Sequence, residues 1–419
     1  MNELYSPHGL YRQRWITGQL RSALLSHPVV VLTGARQVGK STLLRQAEPF
    51  RSWPYRTLDD HDVLRQALEH PRSLWIGEQT MVLDEVQRAP QLLLAIKQAV
   101  DEDRGRRFLL SGSANLVLME QVSESLAGRA IYFVLDPLTL GELEGQPMPS
   151  LVGDALAGRW PEVGESVSAM AGVDPVPLML RGFMPALIGL PDPPDWLRWW
   201  AGYVATYLER DLRQISRIDT LVDFRRLMDL LALRSGGLLN QSDLARDAGL
   251  SQPTAHRYIN LLETTHLFQR LSAYGGGRGA RLVKAPRVMW TDPGLAVYLA
   301  GYFDAPSLGA ARELGGFFET LVHLHLRVLA SLLSPPGRLH FWRTRSGQEV
   351  DFVLEHGRRQ LAFEVKWTTD PGQRHLGGLK QFLAEHPAAA GGILIHRGTE
   401  TRWLDERILA LPWTRLAGA

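Results

Sequence analysis

Gly34-Ala35-Arg36-Gln37-Val38-Gly39-Lys40-Ser41 is the stretch on which the fold turns. It fills every fixed position of G-x-x-x-x-G-K-[S/T], and its context is that of a phosphate-binding loop. The apolar run VVVLTG (29–34) ahead of it reads as a buried strand, and a helix is expected from Gly39 onward. Gly34 and Gly39 allow backbone N–H groups to turn inward around phosphate oxygens. The positive end of the helix points at the same place. Lys40 is expected to reach the β- and γ-phosphates and Ser41 to ligate Mg²⁺, with Arg36, Gln37, Val38 and Thr42 completing the cradle. The cofactors implied are ATP and Mg²⁺.

Outward from the loop, MVLDE (81–85) reads as a second buried strand ending in two acids. Asp84 is placed to hold Mg²⁺, directly or through water, and Glu85 to polarise the attacking water; phosphoryl transfer needs positioning and charge neutralisation more than covalent chemistry. RFLLSGSA (107–114) is a third strand. Ser113 beyond it is the first choice for a polar group that senses the γ-phosphate, with Ser111 in reserve; a plain Ser/Gly turn accounts for the same letters. Arg129 is a candidate arginine finger, in cis or from a neighbouring subunit, which leaves room for a homo-oligomer; an exposed structural arginine is the simpler alternative. Short apolar strands alternating with helices give a parallel sheet covered on both faces. This P-loop core is assigned to residues 1–143.

The bulk properties narrow the field. The chain has 419 residues, too many for one ordinary core, with 46 basic against 44 acidic side chains. Net charge therefore argues neither for nor against nucleic acid. The absence of cysteine excludes disulfides, thiolate metal sites and thiol nucleophiles. No apolar run approaches the ~18 residues of a membrane span. The first residues lack the apolar core of a secretion signal. No membrane contact and a cytoplasmic location are expected.

Residues 144–180 are rich in Gly, Pro and Ala and read as a linker or lid-like insertion. Residues 181–300 read as a helical and winged-helix domain. Within it, Gln241–Gly249 gives a helix and a glycine turn, and Ser251 caps a second helix over 252–262. Ala245, Leu250 and Ile259 are expected to pack the pair, and Leu267 and Phe268 to open a strand. Gln252, Thr254, His256 and Arg257 are available to read DNA from the second helix. Arg270, Arg278, Arg281 and Arg287 lean toward phosphate contact. Nucleic acid, DNA first, is the partner expected; packing or subunit contact is the competing use.

Residues 301–419 form a last α/β unit with a long helix (312–332). Its informative part is a hairpin running from Gln348 to Trp367 and turning through His356–Arg359. If Glu355 pairs with Gln360, Asp351 lies opposite Glu364 and Glu349 opposite Lys366, all on one face. Val350, Phe352, Leu354, Leu361, Phe363, Val365 and Trp367 are then expected to form the core face. Like charges directly opposite each other destabilise a strand pair. Two carboxylates at that separation can share one Mg²⁺ or Mn²⁺, with Lys366 stabilising developing charge. Asp351, Glu364 and Lys366 match the D…(D/E)-x-K signature of restriction-type nucleases. Glu319, on the long helix, is a further candidate metal ligand; an ordinary helical glutamate is the alternative reading.

GARQVGKSTLL, MVLDEVQRAP, FLLSGSANLVL, SLAGRAIYFVLDPLTLGEL and YLERDL together resemble prokaryotic AAA-type ATPases with a C-terminal DUF4143 region. The resemblance spans nearly the whole chain. It implies an AAA-like ATPase core, a winged-helix-like middle and a C-terminal restriction-endonuclease-like α/β domain. The long 144–180 segment departs from the usual pattern. The leading expectation is an ATPase coupled to metal-dependent DNA cleavage. The alternatives are a nucleotide-switched DNA- or protein-binding protein with a non-catalytic C-terminal platform, and a protein-remodelling ATPase.

Overall fold

The computed structural model describes residues 11–112, 126–165, 170–206, 220–275, 285–344 and 346–418. Ser113, Arg278, Arg281 and the YLERDL segment lie outside the described residues. The chain forms two compact units, one running to Pro137 and one from Leu138 onward, except that Met184–Ala186 and Thr264–His266 group with the first. Among the described residues no helix is long and apolar enough to cross a membrane.

The first unit is built on β1 (Val29–Thr33), β2 (Tyr55–Thr57), β3 (Thr80–Asp84), β4 (Arg107–Ser111) and β5 (Ala130–Val134), in the order β2-β3-β4-β1-β5. All four pairings are parallel. β1 is buried along its whole length, which is why its sequence runs apolar without alternating. The helices are α1 (Thr17–Ser26), α2 (Lys40–Gln46), α3 (His61–Glu69) and α4 (Leu92–Glu102). Alternate residues of three strands, Val29 and Val31, Met81 and Leu83, Phe108 and Leu110, share one core with Leu92, Leu93 and Ile96 of α4. That core fixes the strands so that β1, β3 and β4 end side by side. In open parallel sheets this carboxyl edge is where ligands bind.

The second unit carries a seven-stranded mixed sheet in the order β6-β13-β14-β12-β11-β10-β9. Its strands are β6 (Gly164–Glu165), β9 (Arg338–Arg343), β10 (Glu349–His356), β11 (Arg359–Lys366), β12 (Gly391–His396), β13 (Glu400–Asp405) and β14 (Ile408–Pro412). A two-stranded ribbon pairs β7 (Phe268–Leu271) with β8 (Arg287–Trp290). The helices continue as α5 (Leu140–Leu143), α6 (Leu151–Leu156), α7 (Pro175–Arg181), α8 (Pro193–Tyr203), α9 (Leu221–Ala232), α10 (Gln241–Ala248), α11 (Gln252–Thr264), α12 (Pro293–Leu299), α13 (Ala305–Gly309), α14 (Leu314–Ser331) and α15 (Gly377–Glu385). The helix–turn–helix forms as expected in α10 and α11. Asn240 caps α10 by accepting from Ser242 N and Asp243 N, and Gly249 ends it in the left-handed region. Ala245 and Ile259 are buried.

Of the linker and the lid-like insertion expected for residues 144–180, the linker is not what forms. These residues supply α6, β6 and most of α7, and they belong to the second unit. Leu151, Val152, Leu156 and Met170 are buried, the Trp160 ring packs edge-on against Trp403, and Arg359 Nη1 donates to Leu156 O at 3.3 Å. The segment looked loose in sequence because its elements are too short to show a period, and its Gly and Pro residues punctuate turns. The expected middle and C-terminal domains likewise group in one unit.

The hairpin follows the expected register from its turn as far as Phe352 opposite Phe363, with Glu355 opposite Gln360; the pairs expected beyond, Asp351 with Glu364 and Glu349 with Lys366, are not among the paired residues. The expected split into two faces needs correcting at one point. The β9 pairing shifts by one residue between Val350 and Val353, a bulge. Val350 and Val353 consequently share one core with Ala362 and with Leu379 and Phe382 of α15. Phe352 instead stacks on His323 of α14. The sheet is thus buried on both sides, and the acids sit at an interruption in its alternation.

Gly316 sets how closely α14 approaches the preceding chain: a Cβ there would lie 2.1 Å from Ser235 O, whereas Gly315 has nothing within 4 Å. Gly316→Ala is expected to cost about 1–3 kcal/mol through overpacking. Gly315→Ala is expected to gain up to ~1 kcal/mol from helix propensity. Urea denaturation of the two variants checks the opposite signs.

Candidate functional site

The loop after β1 adopts the conformation its glycines were read to permit. Gly34 has φ +144°, and a Cβ there would lie 2.4 Å from Leu135 O. No side chain fits so close an approach. Gly39, at φ +98°, turns the chain into α2. Arg14, which the sequence reading passed over, braces this loop. Its buried guanidinium donates to Val38 O (3.1 Å), Asp136 O (2.6 Å) and Pro137 O (3.3 Å).

Lys40 Nζ donates to Gly34 O and Ala35 O, both at 2.9 Å, so its ammonium is folded back over the loop. Burial lowers its pKa to about 8, against the opposing pull of Glu85 and Asp84. Arg36, Gln37 and Thr42 are exposed around the loop, and Val38 is buried.

Asp84 is the point where the elements meet. Its Oδ2 accepts from Ser41 Oγ at 2.6 Å and from Tyr55 OH at 2.5 Å. Its Oδ1 accepts from Glu85 N at 3.0 Å and from Ser111 Oγ. The hydroxyl and carboxylate oxygens of Ser41 and Asp84 are a hard donor pair that suits Mg²⁺. Tyr55, unremarkable in sequence, reaches this group because β2 is the neighbour of β3. Burial first, and then Asp84, hold its phenol well above the ordinary range. Ser111, the reserve candidate, lies at this site.

Glu85 sits in the left-handed region (φ +58°), which turns its side chain off the strand end. Its carboxylate accepts from Gln87 Nε2. Burial, and then Asp84, raise its pKa.

Arg129 is elsewhere. It forms a bidentate pair with Asp101 (2.6 and 2.9 Å) and precedes Ala130, which is paired with Val29 at the start of β1. The loop lies five residues further along β1, roughly 16 Å away at ~3.3 Å per residue. A finger acting in cis does not fit this geometry.

In the second unit, Asp351, Glu364, Lys366 and Glu319 are brought together, along with a residue read from sequence as a phosphate contact. Arg287, on β8, is buried, with Nη1 2.9 Å from Asp351 Oδ1 and 3.5 Å from Glu319 Oε2, and Nη2 3.7 Å from Glu349 Oε1. Asp351 Oδ2 accepts from Val365 N at 2.8 Å. Lys366 Nζ pairs with Glu364 Oε1 at 2.5 Å. Burial and the neighbouring Asp351 push Glu364 up to about 8 and Glu319 well above its usual range. Burial alone would lower Lys366 and Arg287, but the surrounding carboxylates carry both upward. The compensating charge expected from a metal thus comes from the chain. No group of three or more His, Cys, Asp or Glu among the described residues is arranged to hold a metal ion. These acids, as they stand, do not fit one.

The helix–turn–helix carries little free positive charge. Arg234 pairs with Asp247, Arg246 with Asp243 and Arg270 with Glu263. With Arg287 buried as well, the expected lean toward phosphate contact is withdrawn for Arg270 and Arg287. Gln252 and His256 remain exposed on α11.

A parallel sheet with a phosphate-loop lysine, and Ser41 and Glu85 gathered around Asp84, defines a P-loop ATPase core. Residues 26–144 match an AAA domain, residues 176–305 a domain of unknown function (DUF8612), and residues 314–416 a domain of unknown function (DUF4143). Uncharacterized proteins of Mycobacterium tuberculosis and Mycobacterium bovis are each 33% identical over 365 residues, covering 86% of this chain and 75% of theirs. Among solved structures, the Walker-type ATPase PABY2304 of Pyrococcus abyssi is similar, with TM-score 0.42 and 17% identity, over 69% of this chain and 96% of that one. The chain belongs to the family of prokaryotic AAA-type ATPases with a C-terminal DUF4143 region.

Arg14→Ala is expected to weaken nucleotide binding at least about tenfold, a loss of ~1.4 kcal/mol, with the Lys40 and Ser41 side chains untouched. Titration with a fluorescent ATP analogue checks it.

Proposed function

We propose that this protein is a Mg²⁺-dependent ATPase that uses its nucleotide state to switch its second unit as a binding platform. The observation that carries the ATPase reading is the convergence of Ser41, Tyr55, Ser111 and the Glu85 amide on the buried Asp84 carboxylate. Bound Mg²⁺ would supply neutralisation of the phosphate oxygens. Ser41 and Asp84 are the residues to hold it. Lys40 exchanges its two carbonyl partners for the β- and γ-phosphates, and the loop N–H groups take the remaining oxygens. Glu85 orients and polarises the attacking water, its carboxylate steadied by the Gln87 amide.

The platform reading is supported by Arg287 and Lys366, which already neutralise the hairpin acids. DNA is the partner to test first, and its support rests on the exposed Gln252 and His256 of a winged-helix-like pair. Cleavage of DNA with Mg²⁺ or Mn²⁺ by a restriction-endonuclease-like fold is the second reading. It is favoured by the meeting of Asp351, Glu364 and Lys366 beyond the paired part of the hairpin, where Lys366 pairs with Glu364 and Asp351 accepts from Val365 N. It requires Arg287 to leave the carboxylates. A role for Arg129 is proposed only in trans, within a homo-oligomer.

Glu85→Gln is expected to retain ATP binding and to lose hydrolysis by about 10²–10⁴-fold, while Lys40→Ala loses both. A phosphate-release assay alongside nucleotide titration separates the two, and full activity in Glu85→Gln sinks the assignment. For the second unit, wild type and Asp351→Ala are compared on DNA with ATP and either Mg²⁺ or Mn²⁺. No cutting by wild type is the expected result; cutting that Asp351→Ala abolishes replaces the platform reading with cleavage.

A further inference from the structure

A carboxylate offers about four lone-pair sites on its two oxygens. At Asp84, which is 2% exposed, donors of the chain itself take all of them. Oδ2 accepts from Ser41 Oγ at 2.6 Å and from Tyr55 OH at 2.5 Å. Oδ1 accepts from Glu85 N at 3.0 Å and from Ser111 Oγ. Mg²⁺ is to be met at this carboxylate by an oxygen directly or through a bound water, and it keeps several waters when it binds. Either way a lone pair has to be released, so one of the four donors must give up its place.

The four are not equally able to do so. The Glu85 amide is main chain next to the acid. Ser111 is wholly buried and sits on Oδ1, the oxygen that Ser41 does not touch. Ser41 need not leave, because a hydroxyl oxygen has lone pairs for an ion while its hydrogen still points to Asp84. Tyr55 remains, and it shares Oδ2 with Ser41, the other residue expected to meet the metal. Its main chain pairs with Val82, two residues behind Asp84, so only the side chain reaches the site. It opens β2, a three-residue strand at the edge of the sheet, and it is only half-buried. The guanidinium of Arg45, on α2, stands 4.6 Å from the centre of its ring. That cation–π contact steadies the ring without depending on the hydroxyl.

We propose that the Tyr55 hydroxyl is a placeholder on Asp84 Oδ2: it holds the lone pair needed by the metal or its water, and it withdraws when Mg²⁺ arrives with the nucleotide. Tyr55 acts through Asp84 and is therefore a positioning residue. The inference rests on the ATPase reading above and deepens it. A free ion has to displace the phenol unaided, whereas an ion carried on nucleotide phosphates brings further ligands with it. The site thereby selects the metal–nucleotide complex over the metal alone. A tyrosine that only supported Asp84 has the opposite signature, since its removal then loosens the metal.

The test is Mn²⁺ binding to the full chain saturated with ADP, the free ion being counted by electron paramagnetic resonance. Tyr55→Phe keeps the ring and its contact with Arg45 and removes the hydroxyl alone. It is expected to tighten Mn²⁺ by about three- to thirtyfold, the effect of removing one competing hydrogen bond. Ser111→Ala, which empties a place on the other oxygen, is expected not to tighten it. In protein labelled with 3-fluorotyrosine, the fluorine resonance absent from Tyr55→Phe is expected to move when Mg²⁺ joins ADP, and to stay in place with ADP alone. Circular dichroism establishes that each variant is folded. Should Tyr55→Phe not fold, Arg45→Gln loosens the ring while leaving the phenol, and it is expected to tighten Mn²⁺ in the same direction. Unchanged or weaker Mn²⁺ binding in the folded Tyr55 variant overturns the proposal, and so does equal tightening in Ser111→Ala or a Tyr55 resonance that Mg²⁺ leaves unmoved. If wild type takes up no Mn²⁺ with ADP, the ATPase reading falls and the placeholder with it. Failure confined to the variants strikes only the role of Tyr55.

Discussion

The buried carboxylate of Asp84 is the interaction around which the nucleotide site is arranged. An anion this deep is tolerable only if its lone pairs are met. They are met by donors from four places: Ser41 on α2, Tyr55 on β2, Ser111 on β4 and the amide of Glu85 beside it. The parallel register carries Ser111 level with Asp84, while Tyr55 opens β2 opposite Val82, two residues behind, and reaches forward with its phenol. The strand order matters for the same reason. β4 lies between β1 and β3, so Ser111 reaches Asp84 from one side and Tyr55 from the other.

The same demand shapes the second unit with a different answer. Asp351 is as deeply buried as Asp84, and it too accepts a backbone amide, from Val365. Its remaining need is met by a guanidinium. The bulge at Val350–Val353 makes this possible by interrupting the alternation beside the acid, so that the sheet can be apolar on both faces and still house a charged cluster.

These features were unequally legible in the sequence. The phosphate loop and the acids of β3 were legible because each is a contiguous motif whose flanking strand is an unbroken apolar run. The hairpin register was legible because a two-residue turn fixes the pairs behind it, from His356 with Arg359 as far as Phe352 with Phe363. Tyr55 was hidden in a strand of three residues with no period to read. Arg14 stands 24 residues before Val38 and 122 before Asp136, and no local pattern links them. Arg287 is 64 residues from Asp351, so its composition signal pointed outward to phosphate when its contacts point inward. Residues 144–180 were hard to read for a related reason: their elements are short, and their contacts are with β11 and β13, far along the chain.

The two carboxylates also differ in what they leave for a cation. The donors around Asp84 are hydroxyls and an amide, all neutral. They satisfy its geometry without bringing a cation into hydrogen-bond contact, and the Lys40 ammonium acts on it only from the loop. Hydroxyl and water ligands exchange readily around such a group, and Mg²⁺ keeps several waters when it binds. Around Asp351 the donor is itself a cation, and the charge that would draw an ion is already opposed. The distinction lies in the chemistry of the partner rather than in burial or in the acid. It separates a site built to receive an ion with each nucleotide from one whose positive charge is a permanent part of the chain.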